Sequence, residues 1–306
     1  MLRRTDVSDA TVRSAYRTIG PQSSGPESAP HWTRGATTRG LNQASTLAGC
    51  GLLLVCLAQP LAGQLPFYTD DPAVTAPGKW HFEFFNEYDA LQLQFPNTRQ
   101  NTLNGKLNYG LPHNLEVDLD YPYLAIFRAV GNPNSVGGGD VDFGLKWEFH
   151  KESAHSRVPA LGASFYVELP TGDRKQQLGS GRHDFWLNGI AQKSLSDTTR
   201  VNLNLGYLFT GNTSTGVVGI ESTRGHVYTG GLSILHNFTS RLILGAEVYG
   251  AYTENGNLGK SQLQVLIGGQ YVVREGLSLT FATLGGRYQA SPRIGFQAGF
   301  AVDFPK

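Results

Sequence analysis

The stretch Asp140–His150, DVDFGLKWEFH, alternates between apolar and polar side chains along its length. In an extended chain, one face would carry Val141, Phe143, Leu145, Trp147 and Phe149. The opposite face would carry Asp142, Gly144, Lys146, Glu148 and His150. Because successive side chains of a strand point to opposite sides, this period of two predicts a β-strand with one apolar and one polar face.

The same period recurs along the chain and predicts an all-β protein of about twelve strands, with no window of helical period. Most of these segments have about ten to twelve residues. A tilted strand needs roughly 9–11 residues to cross a bilayer, whereas strands of globular proteins typically have about 5–6. The predicted strands are 79–91, 99–109, 115–126, 140–150, 159–169, 184–194, 200–210, 225–236, 241–252, 261–272, 277–285 and 293–304.

The connections between these segments alternate in length. Those after the second, sixth, eighth and tenth segments are tight, whereas those after the third, fifth, seventh and ninth are longer and rich in glycine, asparagine and serine. Short turns at one end and long loops at the other are typical of outer-membrane barrels. We therefore predict a transmembrane, antiparallel, up-and-down β-barrel; a soluble β-sandwich, which also buries one face of each strand, is the alternative.

In such a barrel, the polar face of each strand would line the lumen. A Lys or Arg facing lipid near mid-membrane costs about 2–4 kcal/mol, and the charges of the strands keep to the polar face. The later strands contribute amides to that face, so we expect one acidic and one amide-lined wall. The candidate lumen-lining residues are Glu83, Glu87, Glu116, Asp118, Asp120, Asp142, Lys146, Glu148, Glu168 and Glu247.

An apolar run near the beginning, TLAGCGLLLVCLAQPLAG at 46–63, bears on the cellular compartment in which the barrel would fold. Its apolar core is shorter than the roughly 20 residues of a spanning helix, and arginines before it and small residues after it are typical of an export signal. We expect 1–63 to be an extension with a removed signal peptide, 64–78 a periplasmic segment and candidate plug, and 79–306 a barrel in the cell outer membrane. Both cysteines, Cys50 and Cys56, lie in the removed part.

Three polar motifs precede or connect the strands. Thr69–Pro72, TDDP, is interpreted either as part of a plug, docking or ion-binding segment or as an Asx-type turn before the first strand. Gly137–Asp142, GGGDVD, is interpreted as a turn, because Ca²⁺ prefers six to eight oxygen ligands. The long loop at 170–183 is either a gate at the pore or a solvated loop. Its candidate gate residues are Asp173, Arg174, Lys175, Arg182 and His183.

Several classes of function find no support in the sequence. The formal net charge of +1 gives no electrostatic case for nucleic acid. The eight histidines show no zinc spacing, and there is no Gly-x-Ser-x-Gly motif. We therefore expect no catalytic residue, no cofactor and no metal site, and predict that the protein is not an enzyme.

Three stretches in order resemble one bacterial outer-membrane family. They are FYTDDPAVTAPGKWHFEFFNEY at 67–88, NYGLPHNLEVDLDYPY at 108–123 and VELPTGDRKQQLGSG at 167–181. Together they resemble the family named for the meta pathway of phenol degradation, across nearly the whole mature chain. The resemblance implies an outer-membrane barrel involved in uptake of aromatic or other small hydrophobic compounds.

Two functions remain open at this point. The first is passage of small molecules through the barrel, with outer-membrane lipid, a small-molecule solute and the barrel-assembly machinery as partners. The second is a non-transporting exported barrel that binds a ligand or partner through its long loops.

Overall fold

A computed structural model of the chain describes residues 66–94, 96–153, 157–210, 225–253, 261–288 and 290–304. The predicted extension and signal peptide at 1–63 and the long loop at 211–224 lie outside these residues, as does most of the loop after the predicted ninth strand.

Strands of ten to fifteen residues dominate the described chain, with one four-residue strand and one short 3₁₀ turn, Arg174–Gln176. The strands are β1 (Trp80–Gln94), β2 (Asn97–Leu111), β3 (Leu115–Arg128), β4 (Ser135–Gly138), β5 (Val141–His150), β6 (Ala160–Leu169), β7 (Asp184–Ser194), β8 (Thr199–Thr210), β9 (Gly225–Asn237), β10 (Leu242–Tyr252), β11 (Ser261–Arg274), β12 (Leu277–Arg287) and β13 (Pro292–Phe304).

The sheet closes on itself. Apart from β4 and β5, strands that follow one another in the chain pair antiparallel, and β1 pairs with β13 from Trp80↔Phe304 onward. The short β4 and the longer β5 share one position, because both pair with β3, at Tyr123↔Gly138 and at Asp120↔Asp142. The result is a twelve-position antiparallel barrel, which confirms the predicted fold class. Closure pairs the backbone groups that lipid cannot satisfy.

Two strand assignments differ from the sequence-based prediction. Ser135–Gly138, predicted as loop, forms β4, because its glycine-rich sequence lacks an apolar alternation yet pairs with the extended end of β3. The first connection is also shorter than predicted. β1 continues to Gln94 and β2 begins at Asn97, since the alternation of Leu91–Gln94 carries on past the predicted end.

The outer surface is apolar, as a lipid-facing surface must be. Leu145, Leu205 and Ile267 are exposed on it, each near the centre of a strand. Aromatic pairs lie near the strand ends: the rings of Trp80 and Tyr109 are 4.5 Å apart. A continuous apolar surface of this kind is far larger than the patches on soluble monomers. Among the described residues, no helix has the length and apolar character needed to span a membrane.

Candidate functional site: the inside of the barrel

The strand ends define two rims. The tight turns at 112–114, 195–198, 238–241 and 275–276 lie at the rim where β1 begins and β13 ends. Short turns face the periplasm in outer-membrane barrels, so this rim is the periplasmic end. The loop at 170–183 belongs to the opposite, outer end.

All ten predicted lumen-lining residues lie on the inner face of their strands. Asp120, Asp142 and Glu168 are half-buried and the other seven are buried. Three cross-strand pairs, Asp120↔Asp142, Asp142↔Glu168 and Glu168↔Asp184, place four carboxylates in one row across β3, β5, β6 and β7. Directly opposed residues have Cβ atoms about 4.5–5.5 Å apart. One wall of the lumen is therefore strongly acidic.

A stretch of chain before β1 crosses the inside of the barrel. Phe67 packs in a cluster with the inward-facing Leu235, Leu266, Ala282 and Leu284 of β9, β11 and β12. The Nζ of Lys146, on the other side of the ring, lies 2.7 Å from Oδ1 of Asp70. We call residues 66–78 the inner segment. Its contacts with strands on opposite sides of the ring mean that it occupies the lumen.

Carboxylates of the wall bind the inner segment through its backbone and its tyrosine. Glu247 accepts hydrogen bonds from the backbone N–H of Tyr68 at 3.2 Å and of Thr69 at 2.5 Å. Glu87 accepts from the Tyr68 hydroxyl at 2.6 and 2.8 Å. Glu116 accepts from the backbone N–H of Thr75 at 2.5 Å. Three of the predicted lumen-lining acids are thus partners of the segment.

Burial alters the acid–base properties of the inner segment. It raises the pKa of the Tyr68 hydroxyl well above its usual range, and the nearby carboxylates Glu87 and Asp89 raise it further. Burial also raises the pKa of Asp70, although Lys146 opposes the shift. Asp71 accepts a hydrogen bond from the backbone N–H of Ala73 at 2.9 Å, which is an Asx turn. The TDDP motif therefore combines a turn at Asp71 with an ion pair at Asp70.

Glycines of the wall make room for the inner segment, and the sequence-based prediction missed them. A Cβ atom on Gly110 would lie 2.2 Å from the Ala76 carbonyl oxygen, and one on Gly231 would lie 2.5 Å from Thr69 Oγ1. A Cβ atom on Gly245 would lie 2.9 Å from the Phe67 ring. Because real Cβ contacts are longer than these, the strands carry glycine where the segment passes closest.

The loop at 170–183 enters the barrel from the outer end. Both carboxylate oxygens of Asp140 accept from it, from Gly172 N at 2.8 Å and from Ser180 N at 2.7 Å. Leu178 is 3% exposed and packs on the inward-facing Leu124 and Ile126. Burial raises the pKa of Asp140, while these two N–H groups act to lower it. GGGDVD is therefore more than a turn, because its first aspartate holds a loop.

The charged residues predicted to form a gate lie on the exposed side of this loop. Asp173, Arg174, Lys175, Arg182 and His183 are all exposed. Asp173 caps the 3₁₀ turn by accepting from Lys175 N at 2.8 Å, and hydrogen bonds from Gln176 and Lys175 lower its pKa. The contacts with the barrel come instead from Leu178, from backbone groups, and from the side chains of Thr171 and Gln177. The sequence-based prediction favoured the charged residues of the loop, which lie on its exposed face. Leu178 is a single apolar residue in a polar loop, so the sequence did not indicate that it packs inside the barrel.

A second apolar cluster lies at the outer end, on the wall opposite β3. Leu208 of β8 and Val227 of β9 are buried on the inner face and pack with Trp186 and Ala251. The inside of the barrel is therefore acidic along one wall and apolar near the outer rim. Among the described residues, no group of three or more His, Cys, Asp or Glu side chains could hold a metal ion.

The comparisons with known proteins agree with this architecture. The family described as "Putative MetA-pathway of phenol degradation" matches residues 101–304, about two thirds of the chain. The chain belongs to this family. The resemblance inferred from the sequence is thus confirmed, and so is the predicted location in the outer membrane.

Solved structures extend the likeness in fold. An outer membrane channel from Pseudomonas putida F1 is similar with a TM-score of 0.60 and 14% identity, over 76% of this chain and 98% of that chain. The NanC porin is similar with a TM-score of 0.50 and 8% identity, over 73% and 100% of the two chains. At these identities the likeness concerns the fold alone. No curated protein matches the chain significantly.

Proposed function

We propose that this barrel mediates passage of small molecules, including aromatic and hydrophobic ones, across the outer membrane. The observation that carries the proposal is the apolar character of the inner face near the outer rim, at Leu124, Ile126, Leu208 and Val227. A water-filled porin keeps its interior polar. Apolar side chains on the inner face favour a solute that buries apolar surface against them.

In this proposal the inner segment acts as a plug. It lies between the outer clusters and the periplasmic rim, so a solute passes when the segment shifts. The candidate lumen-lining acids Glu87, Glu116 and Glu247 then serve to hold the plug, and the loop at 170–183 narrows the entrance. Both roles are supported by the hydrogen bonds described above.

Uptake by intact cells tests the proposed passage. Radiolabelled toluene at low concentration is given to a Gram-negative host that expresses the protein or carries an empty vector. We expect faster initial uptake with the protein. Val227→Thr keeps the side-chain shape and places a hydroxyl in the outer cluster, so it should slow uptake. Val248→Thr makes the same change on the lipid-facing side of β10 and is the matched control.

Heat-modifiable gel migration establishes that each variant is folded. Equal uptake with and without the protein would refute the proposal. In that case, loss of ligand binding after trimming 170–183 and 211–224 would favour the alternative, a non-transporting barrel that binds through its loops.

A further inference from the structure

Three polar atoms converge on one inward-facing glycine below the outer apolar cluster. A Cβ atom on Gly206 of β8 would lie 2.4 Å from Thr229 Oγ1, 2.6 Å from Trp186 Nε1 and 3.1 Å from Asn188 Oδ1. Asn188 and Thr229 are each 7% exposed. Glycine is what allows the three groups to meet at this point, because any other residue would fill the space.

Two of these atoms lack a hydrogen-bond partner within the described part of the chain. They are Trp186 Nε1 and Asn188 Oδ1, both buried. The amide nitrogen of Asn188 lies 3.2 Å from the side-chain oxygen of Asn204, once the Asn204 amide is oriented to satisfy its neighbours. Asn188 is thereby oriented with its oxygen toward the convergence point. Buried polar atoms are nearly always satisfied by protein, water or a ligand, so this pair marks a site that takes a guest.

The donor and acceptor set defines the chemistry of that guest. The indole N–H only donates, the amide oxygen only accepts, and the threonine hydroxyl does both. A group that fits must accept from Trp186 and donate to Asn188, which a hydroxyl does. A carboxylate cannot donate, and an ammonium group cannot accept. Asp184, two residues before Trp186 on the same face and 2% exposed, disfavours an anion further.

The surroundings define the rest of the molecule. Leu208 follows Gly206 by two residues on β8, and Val227 precedes Thr229 by two residues on β9. Both lie on the same inner face as the polar atoms, one step closer to the outer rim, and pack with the Trp186 ring. A molecule seated here would direct its polar end toward Gly206 and its apolar body toward the outer rim.

We propose that Trp186, Asn188 and Thr229 form a binding site for a neutral hydroxyl group on a short apolar body, that is, for a small alcohol or phenol. This site rests on the proposed passage of small molecules and narrows it to a class of solute. Trp186 supplies both a donor and an apolar surface, and Gly206 leaves room for the three polar groups to meet.

Binding to the full mature protein in detergent tests the site. Four probes are compared by calorimetry: phenol and toluene, which share a shape but differ in the hydroxyl, and cyclohexanol and methylcyclohexane as the non-aromatic pair. We expect each hydroxyl compound to bind several-fold more tightly than its partner. If the hydroxyl compound binds more tightly in both pairs, and by a similar factor, the hydroxyl group itself is what the site recognises. If only phenol binds more tightly than its partner, the site is restricted to aromatic hydroxyl compounds. No preference in either pair overturns the proposal.

Trp186→Phe removes the donor and keeps an aromatic ring, so it should abolish the preference for the hydroxyl compounds while toluene binding persists. Trp147→Phe makes the same change on the lipid-facing surface and should leave the preference intact. Gly206→Ala should reduce it, with the outward-facing Gly189→Ala, whose Cβ meets nothing closer than 3.7 Å, as control. A full preference retained in both Trp186→Phe and Gly206→Ala would contradict the assignment.

The two proposals fail in different ways. If phenol is preferred in binding but expression does not accelerate uptake by cells, the site stands and passage fails. If toluene and phenol are both taken up faster without any preference in binding, passage stands and the hydroxyl site fails.

Discussion

Two pieces of chain that are not strands enter the barrel, one from each end, and they are held in different ways. The inner segment is bound by carboxylates and a lysine from β1, β3, β5 and β10, and glycines of the wall fit around it. The loop at 170–183 is bound through Asp140, through Leu178, and through Gln176 and Gln177, which accept hydrogen bonds from Arg128 and Asn97.

This difference indicates different freedom of movement. Hydrogen bonds to charged groups contribute roughly 1.5–3 kcal/mol each, and the inner segment makes several of them at sites distributed around the ring. Releasing it requires breaking many contacts at once. The partners of the loop lie on neighbouring strands on one side of the ring: Asn97 on β2, Arg128 on β3, and Asp140 just before β5. The loop can therefore open by releasing one side of the barrel, at lower cost. Of the two elements, the loop is the one that moves more readily.

Removing the inner segment should have the largest effect. Deletion of residues 66–78 takes away the chain that crosses the lumen, while the strand pairing that closes the barrel remains. Barrels of intermediate strand number have room for a narrow channel. We expect single-channel conductance in planar bilayers to rise several-fold. Shortening the loop at 170–183 is the comparison, and a larger increase from that change would reverse our ranking of the two elements.

Gly231→Val should dislodge the inner segment in the intact chain. The new Cβ would begin 2.5 Å from Thr69 Oγ1, and the second branch would make the collision worse. Gly230→Val changes the neighbouring residue on the opposite face, where a Cβ meets nothing closer than 3.7 Å. We expect conductance to rise in the first variant and to stay unchanged in the second. Equal conductance in both would mean that the segment tolerates a side chain at Gly231.

The sequence predicted the wall of the barrel well and its contents poorly. Alternation in stretches such as Val141–His150 identifies both the strand and its inward-facing residues, because the two faces of a strand have different solvents. The same rule located all ten candidate lumen residues on the inner face. It could not identify Gly110, Gly231 or Gly245 as neighbours of the segment, because that proximity depends on pairing between strands far apart in the chain.

The sequences of the inner segment, the loop and β4 lack the alternation of apolar and polar residues that predicts a strand. β4 pairs through its backbone in a glycine-rich stretch. Asp140 was interpreted as a turn residue because its partners, Gly172 and Ser180, are backbone groups more than thirty residues away. The three polar groups that meet at Gly206 come from adjacent strands, and no local pattern in the sequence predicts that they meet. These features depend on the register in which strands far apart in the chain pair. That register cannot be derived directly from a single sequence.

Glu247→Gln should loosen the inner segment without removing it. The amide keeps one acceptor oxygen but loses the charge and the second acceptor for Tyr68 N and Thr69 N. We expect a loss of about 1.5–3 kcal/mol, so the labelling rate of a cysteine introduced by Ala73→Cys should rise roughly tenfold or more. Glu148→Gln alters another inner-face carboxylate, which pairs with Lys151, and serves as control. Unchanged labelling in Glu247→Gln would show that the glycine fit alone retains the segment.

Asp140 should give the smallest effect and the clearest test of how the loop is held. Burial raises its pKa in the folded chain, whereas the hydrogen bonds from Gly172 N and Ser180 N act to lower it and favour the carboxylate. Because the effect of burial prevails, the folding stability that depends on Asp140 is fully present below the ordinary pKa of an aspartate, about 3.9, and is lost as pH rises through the raised value.

Asp140→Asn removes this pH dependence and keeps one acceptor oxygen, but its NH2 group cannot accept, so it should retain only one of the two hydrogen bonds to the loop. Asp140→Ala should release it, because Gly172 N and Ser180 N lose their acceptor. Hydrogen-exchange protection of these two amides measures the outcome. We expect protection to fall roughly fivefold to tenfold in Asp140→Ala, for a loss of about 1 kcal/mol. If Asp140→Ala kept full protection, Leu178 and the hydrogen bonds of Gln176 and Gln177 would hold the loop without Asp140.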